Sequence, residues 1–245
     1  MSAFETLIFE KVDHVATVTL NRPRALNAHN VQMRDDMIEV LGAIRDDDEV
    51  RVVVFKGAGE KAFCAGADIS EFLTAPSPTA AREIRFDGDL WGLFLRMPQI
   101  LIAAVHGYVL GSGIEIALCC DICIASENAR FGLPEMDLGM IPAAGGTQTI
   151  PRAVGTAKAM EMTLTNRWID AKAALKASLV NRVVPENMLY TTVDKLADGI
   201  SLHHYTTVKA VKEAINRGMD LPLSEGLDLE DRIAGRIMKG TQACF

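Results

Sequence analysis

The sequence predicts an α/β fold with a helical C-terminal region, and three observations carry that expectation. Short apolar runs at Val52 to Phe55, Ile100 to Val105 and Ile122 to Ala125 lack the polar alternation of a half-exposed strand, so they read as strands covered on both faces. Between them strand, glycine turn, helix and strand recur at the spacing of crossover connections. From Pro185 onward the strand signal stops and only helical spacing remains. A length of 245 residues accommodates one large domain with an appendage, divided here as a core over 1–185 and a helical region over 186–245.

Element by element, Thr6 to Phe9 followed by alternation at Val12, His14, Ala16, Val18 and Leu20 predicts a β-hairpin turning near Asp13. Met37, Ile38, Val40, Leu41 and Ile44 keep helical spacing and end at the acidic turn Asp46-Asp47-Asp48. After the strand at Val52 comes a glycine-bearing loop, Gly57 to Gly66. A Pro/Ser/Thr stretch, Thr74 to Thr79, reads as a mobile surface loop, and Arg82 to Arg96 as a helix. Gly113 to Cys120 is expected as the helix between the second and third buried strands. Met188 to Ile200, Thr206 to Arg217 and Leu223 to Lys239 are the expected C-terminal helices, punctuated by Gly218, Pro222 and Gly226. No repeat period survives along the chain.

Composition narrows the function. With 49% hydrophobic and 23% charged residues the chain can bury a core and is not disordered. A net charge of -7, from 25 Lys+Arg against 32 Asp+Glu, argues against a nucleic-acid or anionic-membrane surface while leaving room for a local patch on one phosphorylated ligand. The longest uncharged stretch, Met97 to Ile114, is interrupted by Pro98 and three glycines and makes a poor membrane span; with no export signal visible, a cytoplasmic location is expected. Five cysteines, an odd count, point to reduced thiols. Cys120 and Cys123 match C-x-x-C but have no second pair, so small core residues are expected rather than a metal or redox centre.

Three glycine-rich places could carry chemistry. The first, Gly57 to Ala62, nominally fits a relaxed dinucleotide fingerprint, but no helical periodicity follows and Asp68 comes too early to be its acid. The second, Gly107 to Gly113, leads into the apolar helix Ile114 to Leu118. Free N–H groups at such a helix start can stabilise a developing oxyanion, or the glycines can serve tight packing alone. Glu115 favours chemistry, because a carboxyl among apolar neighbours must face solvent or a cleft. The third, Phe131 to Gln148, places Glu135 on a loop stiffened by glycine and proline. Two acids in different environments can divide proton donation from water activation. A glycosidase would share that pair, yet only 2 Trp and 3 Tyr are available as sugar platforms, and the glycine-rich helix start suits an acyl oxyanion.

The segments Leu20-Asn21-Arg22-Pro23 through Leu26-Asn27-Ala28, Phe63 to Ile69, Gly111 to Asp121 and Phe131 to Gln148 resemble, in order, the motifs of the enoyl-CoA hydratase/isomerase (crotonase) family over roughly Phe4 to Arg217. The resemblance implies a crotonase-like spiral of ββα units with two sheets, a C-terminal helical trimerisation region, trimers that often pair into hexamers, and an acyl-CoA thioester substrate with no metal or redox cofactor, CoA being part of the substrate. It implies an oxyanion hole from the backbone N–H groups of Ala67 and Ser112. It gives Glu115 the activation of water for attack at Cβ and Glu135 the delivery of a proton to Cα of a trans-2-enoyl-CoA. Arg24 and Lys61 would meet CoA phosphates, and the loop holding Ala65, Asp68 and Ile69 would border the adenine and pantetheine.

Two departures stand out. Ser112 occupies a position where glycine is more usual in the family, and beyond Arg236 only Ile237 to Phe245 remain in place of a longer tail, so the acyl end is expected to be more open or closed differently. Having both acids favours hydration. An isomerase, lyase or hydrolase of a specialised acyl-CoA, or a catalytically idle binding subunit, are the alternative readings.

Overall fold

Two sheets organise the chain, and the computed structural model describes residues 4–71 and 88–242 of it. The larger sheet has six strands in the order β1-β2-β3-β5-β7-β10. β1 (Leu7–Val12) and β2 (Val15–Leu20) form the expected antiparallel hairpin. β2, β3 (Val52–Gly57), β5 (Ile100–Val105), β7 (Ile122–Ser126) and β10 (Arg182–Val184) run parallel to one another. The smaller sheet orders β4 (Ala62–Cys64), β6 (Tyr108–Leu110), β8 (Arg130–Gly132) and β9 (Ile169–Asp170), with β9 alone antiparallel to its neighbour.

Each of β3, β5 and β7 hands the chain to a strand of the smaller sheet, so the expected spiral of ββα units is present. The corner between β5 and β6 shows how tight this hand-over is. Gly107 sits there at φ +56°, and a Cβ on it would collide with the Lys61 carbonyl oxygen. Only glycine meets both conditions.

Among the described residues the α-helices are α1 (Val31–Arg45), α2 (Leu90–Arg96), α3 (Ser112–Cys119), α4 (Gly146–Val154), α5 (Thr156–Thr165), α6 (Ala171–Lys176), α7 (Leu189–Ser201), α8 (Tyr205–Gly218) and α9 (Leu223–Gln242). α1 opens where the Asn30 side chain accepts from the Met33 N–H at 2.9 Å. It buries Met33, Met37, Val40, Leu41 and Ile44 along one stripe, each contributing on the order of 1.5–3 kcal/mol.

Both faces of the parallel sheet are covered, which explains its unbroken apolar runs. One face packs Phe55, Leu101, Ala103 and Val105 with Phe63, Phe94 and Phe131 and the stripe of α1. The other packs Val52, Val54, Ile102, Ala104 and Ile124 against Leu189, Val193 and Ala197 of α7. α8 and α9 form a separate small cluster around Ala210, Leu229 and Ile233.

Several expectations are corrected. The Gly57 to Gly66 loop contains β4, the glycine turn after β5 contains β6, and the Phe131 to Gly139 loop is the end of β8 followed by a short 3-10 helix, Pro134–Leu138. Strands of two or three residues are too short to display a period of two. Of the helix expected over Arg82 to Arg96, Leu90–Arg96 is helical as expected and residues 82–87 lie outside the described residues. Gly88 and Asp89 precede it at φ +85° and +45°, and the Asp89 side chain caps it by accepting from the Gly92 N–H at 3.1 Å. The Thr74 to Thr79 loop lies outside the described residues.

Candidate active site

Two free main-chain amides meet at one place. His29 pairs with Ala67 as a parallel β-bridge: the His29 N–H donates to the Gly66 carbonyl at 2.8 Å and the Asp68 N–H donates to the His29 carbonyl at 2.9 Å. In this pattern the flanking residues spend their groups on the partner, so the N–H of Ala67 itself points the other way. The second amide belongs to Ser112, the first residue of α3, where a helix has no internal acceptor to offer. Neither N–H has an acceptor among the described residues. The two segments lie back to back, since a Cβ on Gly111 would stand 3.6 Å from the Gly66 Cα. That is the geometry of a two-donor cradle for a carbonyl oxygen.

Both candidate carboxyls converge beside it. Glu115 lies in the first turn of α3 and is only 2% exposed. Its Oε1 accepts from the Ala144 N–H at 2.9 Å and the Gly146 N–H at 3.0 Å, at the N-terminus of α4, with a weaker contact from the Ser112 hydroxyl. Glu135 sits on the 3-10 helix, and its Oε1 would be 2.5 Å from a Cβ on Gly111. Its Oε2 is buried and has no partner among the described residues.

The electrostatics follow from this arrangement. Burial, then the neighbouring charge of Glu135, push the Glu115 carboxyl up to about 7 despite its three donors. Burial also raises Glu135. Two close acids resist double ionisation, so the pair holds a shared proton into the neutral range. Donors on Glu115 offset part of the cost of ionising it, while the buried Oε2 of Glu135 has no partner among the described residues. The two acids thus sit in unlike surroundings, which is the arrangement that lets a carboxyl pair divide proton transfer.

The remaining predicted site residues lie around this centre. Ala65 is held by its N–H to the Leu26 carbonyl at 3.0 Å, and Ile69 is 56% exposed at the loop's outer end. Arg24 and Lys61 are exposed and have no carboxylate partner among the described residues. Asp68 is not a free loop acid: its Oδ2 is paired with Arg22 at 2.9 Å, and its Oδ1 accepts from the Ser70 hydroxyl at 2.6 Å. Sequence reasoning passed over Arg22, Asn27 and the amides of Ala144 and Gly146. Paired glycines before a helix, Gly145-Gly146, were the available signal for the last of these.

Cys64, Cys119, Cys120 and Cys123 are free thiols, all with raised pKa through burial. No group of His, Cys, Asp or Glu among the described residues could hold a metal ion, and no described helix is long and apolar enough to cross a membrane.

Comparison with known proteins identifies the family. A family profile described as enoyl-CoA hydratase/isomerase matches residues 10–242. The chain is 44% identical over 233 residues to a short-chain-enoyl-CoA hydratase of Clostridium acetobutylicum, covering 94% of this chain and 88% of that one. It is 40% identical over 240 residues to an (E)-benzylidenesuccinyl-CoA hydratase of Thauera aromatica, covering 92% of each. Among solved structures, an enoyl-CoA hydratase from Bacillus anthracis superposes with a TM-score of 0.92 at 34% identity, over 98% of this chain and 95% of that one.

Proposed function

The chain belongs to the enoyl-CoA hydratase/isomerase family, and from that premise we infer that it is an enoyl-CoA hydratase, adding water syn across the 2,3 double bond of a 2-enoyl-CoA to give a 3-hydroxyacyl-CoA. The observation that carries this reading is the convergence of two oppositely supported carboxyls on one site beside two unspent amides.

In the proposed mechanism the thioester carbonyl accepts from the Ala67 and Ser112 N–H groups, which draws electron density from the double bond and makes Cβ electrophilic. Glu115, locked by Ala144 and Gly146, orients a water and takes its proton as the oxygen bonds to Cβ. Glu135 gives its proton to Cα as the enolate collapses. The pair ends the turnover with its proton moved from Glu135 to Glu115, and exchange between them resets the site. Both acids work from one side of the substrate, hence syn addition. Carboxyls and amides supply every proton and charge this chemistry needs, and we propose no cofactor beyond the CoA carried by the substrate.

Exposed Arg24 and Lys61 would meet the CoA phosphates, and the loop from Ala65 through Ile69 would border the adenine and pantetheine. We propose a role in β-oxidation of acyl-CoA esters in the cytoplasm, which the four reduced thiols support. The core over 1–185 would hold the site and the helices over 186–245 would build a homotrimer or dimer of trimers. Val211, Ile215 and Met219 support that assembly, recurring every four residues on α8 and just beyond it at 54%, 59% and 81% exposure.

Hydration is tested by loss of the conjugated absorbance of crotonyl-CoA and of longer or cyclic enoyl-CoAs. Turnover of any of them is the expected result. Tight binding of all with turnover of none would overturn the reading in favour of a binding subunit.

A further inference from the structure

The Ala67 amide is useful only if its N–H is held at one angle, and Ala67 lies on a loop rather than in a named strand. Its pairing with His29 sets the direction, but a single bridge of two hydrogen bonds is easily frayed. The segment carrying His29 is itself a succession of turns, with Leu26 and Asn27 both at positive φ. Something must tie the two together.

Arg22 does so from the end of the hairpin. Its Nη1 donates to the Ala28 carbonyl at 2.6 Å and pairs with the Asp68 Oδ2 at 2.9 Å. One guanidinium thus grips the residue before His29 and the residue after Ala67. Both side chains are mostly shielded, 23% exposed for Arg22 and 14% for Asp68, so the pair is less screened than a surface ion pair. The same strand end is fixed from beneath by Asn27, fully buried, whose Oδ1 accepts from the Arg22 N–H at 2.9 Å and whose Nδ2 donates to the carbonyls of Ala58 and Ala62.

We propose that Arg22 and Asp68 are positioning residues for carbonyl polarisation: their ion pair buckles the Ala67 loop to the His29 segment and so fixes the oxyanion-hole amide. This rests on the reading of Ala67 as an oxyanion donor. Neither side chain needs to touch substrate. The effect on binding is the smaller one, because the proposed phosphate contacts at Arg24 and Lys61 are untouched and the loop only borders the adenine and pantetheine, whereas the chemical step depends on donor angle and distance.

The test is a double-mutant cycle with Arg22→Gln, Asp68→Asn and the double variant, read three ways. Thermal midpoints confirm that each variant is folded, and Asp68→Asn, which keeps the shape of the side chain, secures the test should Arg22→Gln fail to fold. Hydration kinetics should show kcat lowered 10–100-fold with KM changed less than about threefold, and the double variant no worse than the more impaired single one. A conjugated dienoyl-CoA bound to the enzyme should show a red-shifted absorption in wild type, from polarisation of its carbonyl, and a smaller shift in both single variants.

A wild-type red shift that the folded variants retain in full overturns the proposal while leaving the oxyanion reading intact. Absence of any shift in active wild-type enzyme overturns the oxyanion reading and the proposal with it. Fully additive losses in the cycle would also sink it, since two halves of one buckle cannot fail twice.

Discussion

Glu115→Gln should make this protein more stable and less active, and the size of the gain follows from the site. The Glu115 carboxyl is pushed from an ordinary value of 4.5 up to about 7, chiefly by burial and then by the charge of Glu135. Between those two pH values the folded chain keeps a proton that the unfolded chain has released, so wild-type stability falls as pH rises through that window. At about 1.4 kcal/mol per pH unit, the loss is on the order of 3 kcal/mol by pH 8. Glutamine has nearly the same shape and its carbonyl can still accept from the Ala144 and Gly146 amides. It cannot ionise, so it escapes the penalty. The preference of those donors for a carboxylate is already contained in the value of about 7, so nothing further is subtracted. Urea denaturation at fixed protein concentration should therefore show the variant more stable by about 3 kcal/mol at pH 8 and level with wild type, or slightly below it, at pH 4.5. Hydration by the same variant should drop at least about 10²-fold. An equal stability difference at both pH values would refute the reasoning, since it would mean that no strained carboxylate is relieved.

The partner acid gives a second test: Glu135→Gln should lower kcat at least about 10²-fold and, by removing a neighbouring negative charge, move the remaining ionisation of Glu115 downward, visible as an acid shift in the pH profile of the residual rate. Ser112 separates amide from side chain: Ser112→Pro, at a helix position that tolerates proline, deletes the N–H and should cost about 10²–10³-fold in kcat, whereas Ser112→Ala should cost less than about tenfold; equal losses would rule out the amide's role. Arg24→Ala and Lys61→Ala should raise KM for the CoA ester with kcat largely kept, and flatten its salt dependence; unchanged KM in both would remove them from the phosphate contacts. Gly113→Ala should destabilise the fold, because its Cβ would collide with the Cys64 backbone carbonyl; a thermal midpoint at or above wild type would contradict that packing.

Much of the scaffold was legible because burial leaves a compositional imprint. The runs at Val52, Ile100 and Ile122 became β3, β5 and β7, and the three C-terminal helices fell within a few residues of their expected bounds. The smaller sheet was hidden, since β4, β6, β8 and β9 owe their pairing to the corners that feed them rather than to side-chain alternation. At the site, Glu115 stood out as an acid in apolar company. Its support is harder to see, because the amides of Ala144 and Gly146 are main-chain groups 29 and 31 residues away, and the paired glycines Gly145-Gly146 do not by themselves say which side chain they approach. Asp68 was visible as a charge beside the oxyanion loop, but its partner Arg22 is joined to it only through the fold.

The anchoring of Glu115 by the loop before α4 has an evolutionary consequence. Since Ala144 and Gly146 act through their peptide groups, drift can alter the chemistry of the exposed Ala143 side chain freely, whereas adding or removing one residue between Pro142 and Gly146 would slide both donors off the carboxylate. Ala143 should therefore tolerate spelling changes where the glycines do not, since Gly145 sits at φ +94° and a Cβ on Gly146 would stand 2.7 Å from the Glu115 Oε1, and a saturation library should show one permissive codon inside a stretch that accepts no change in length.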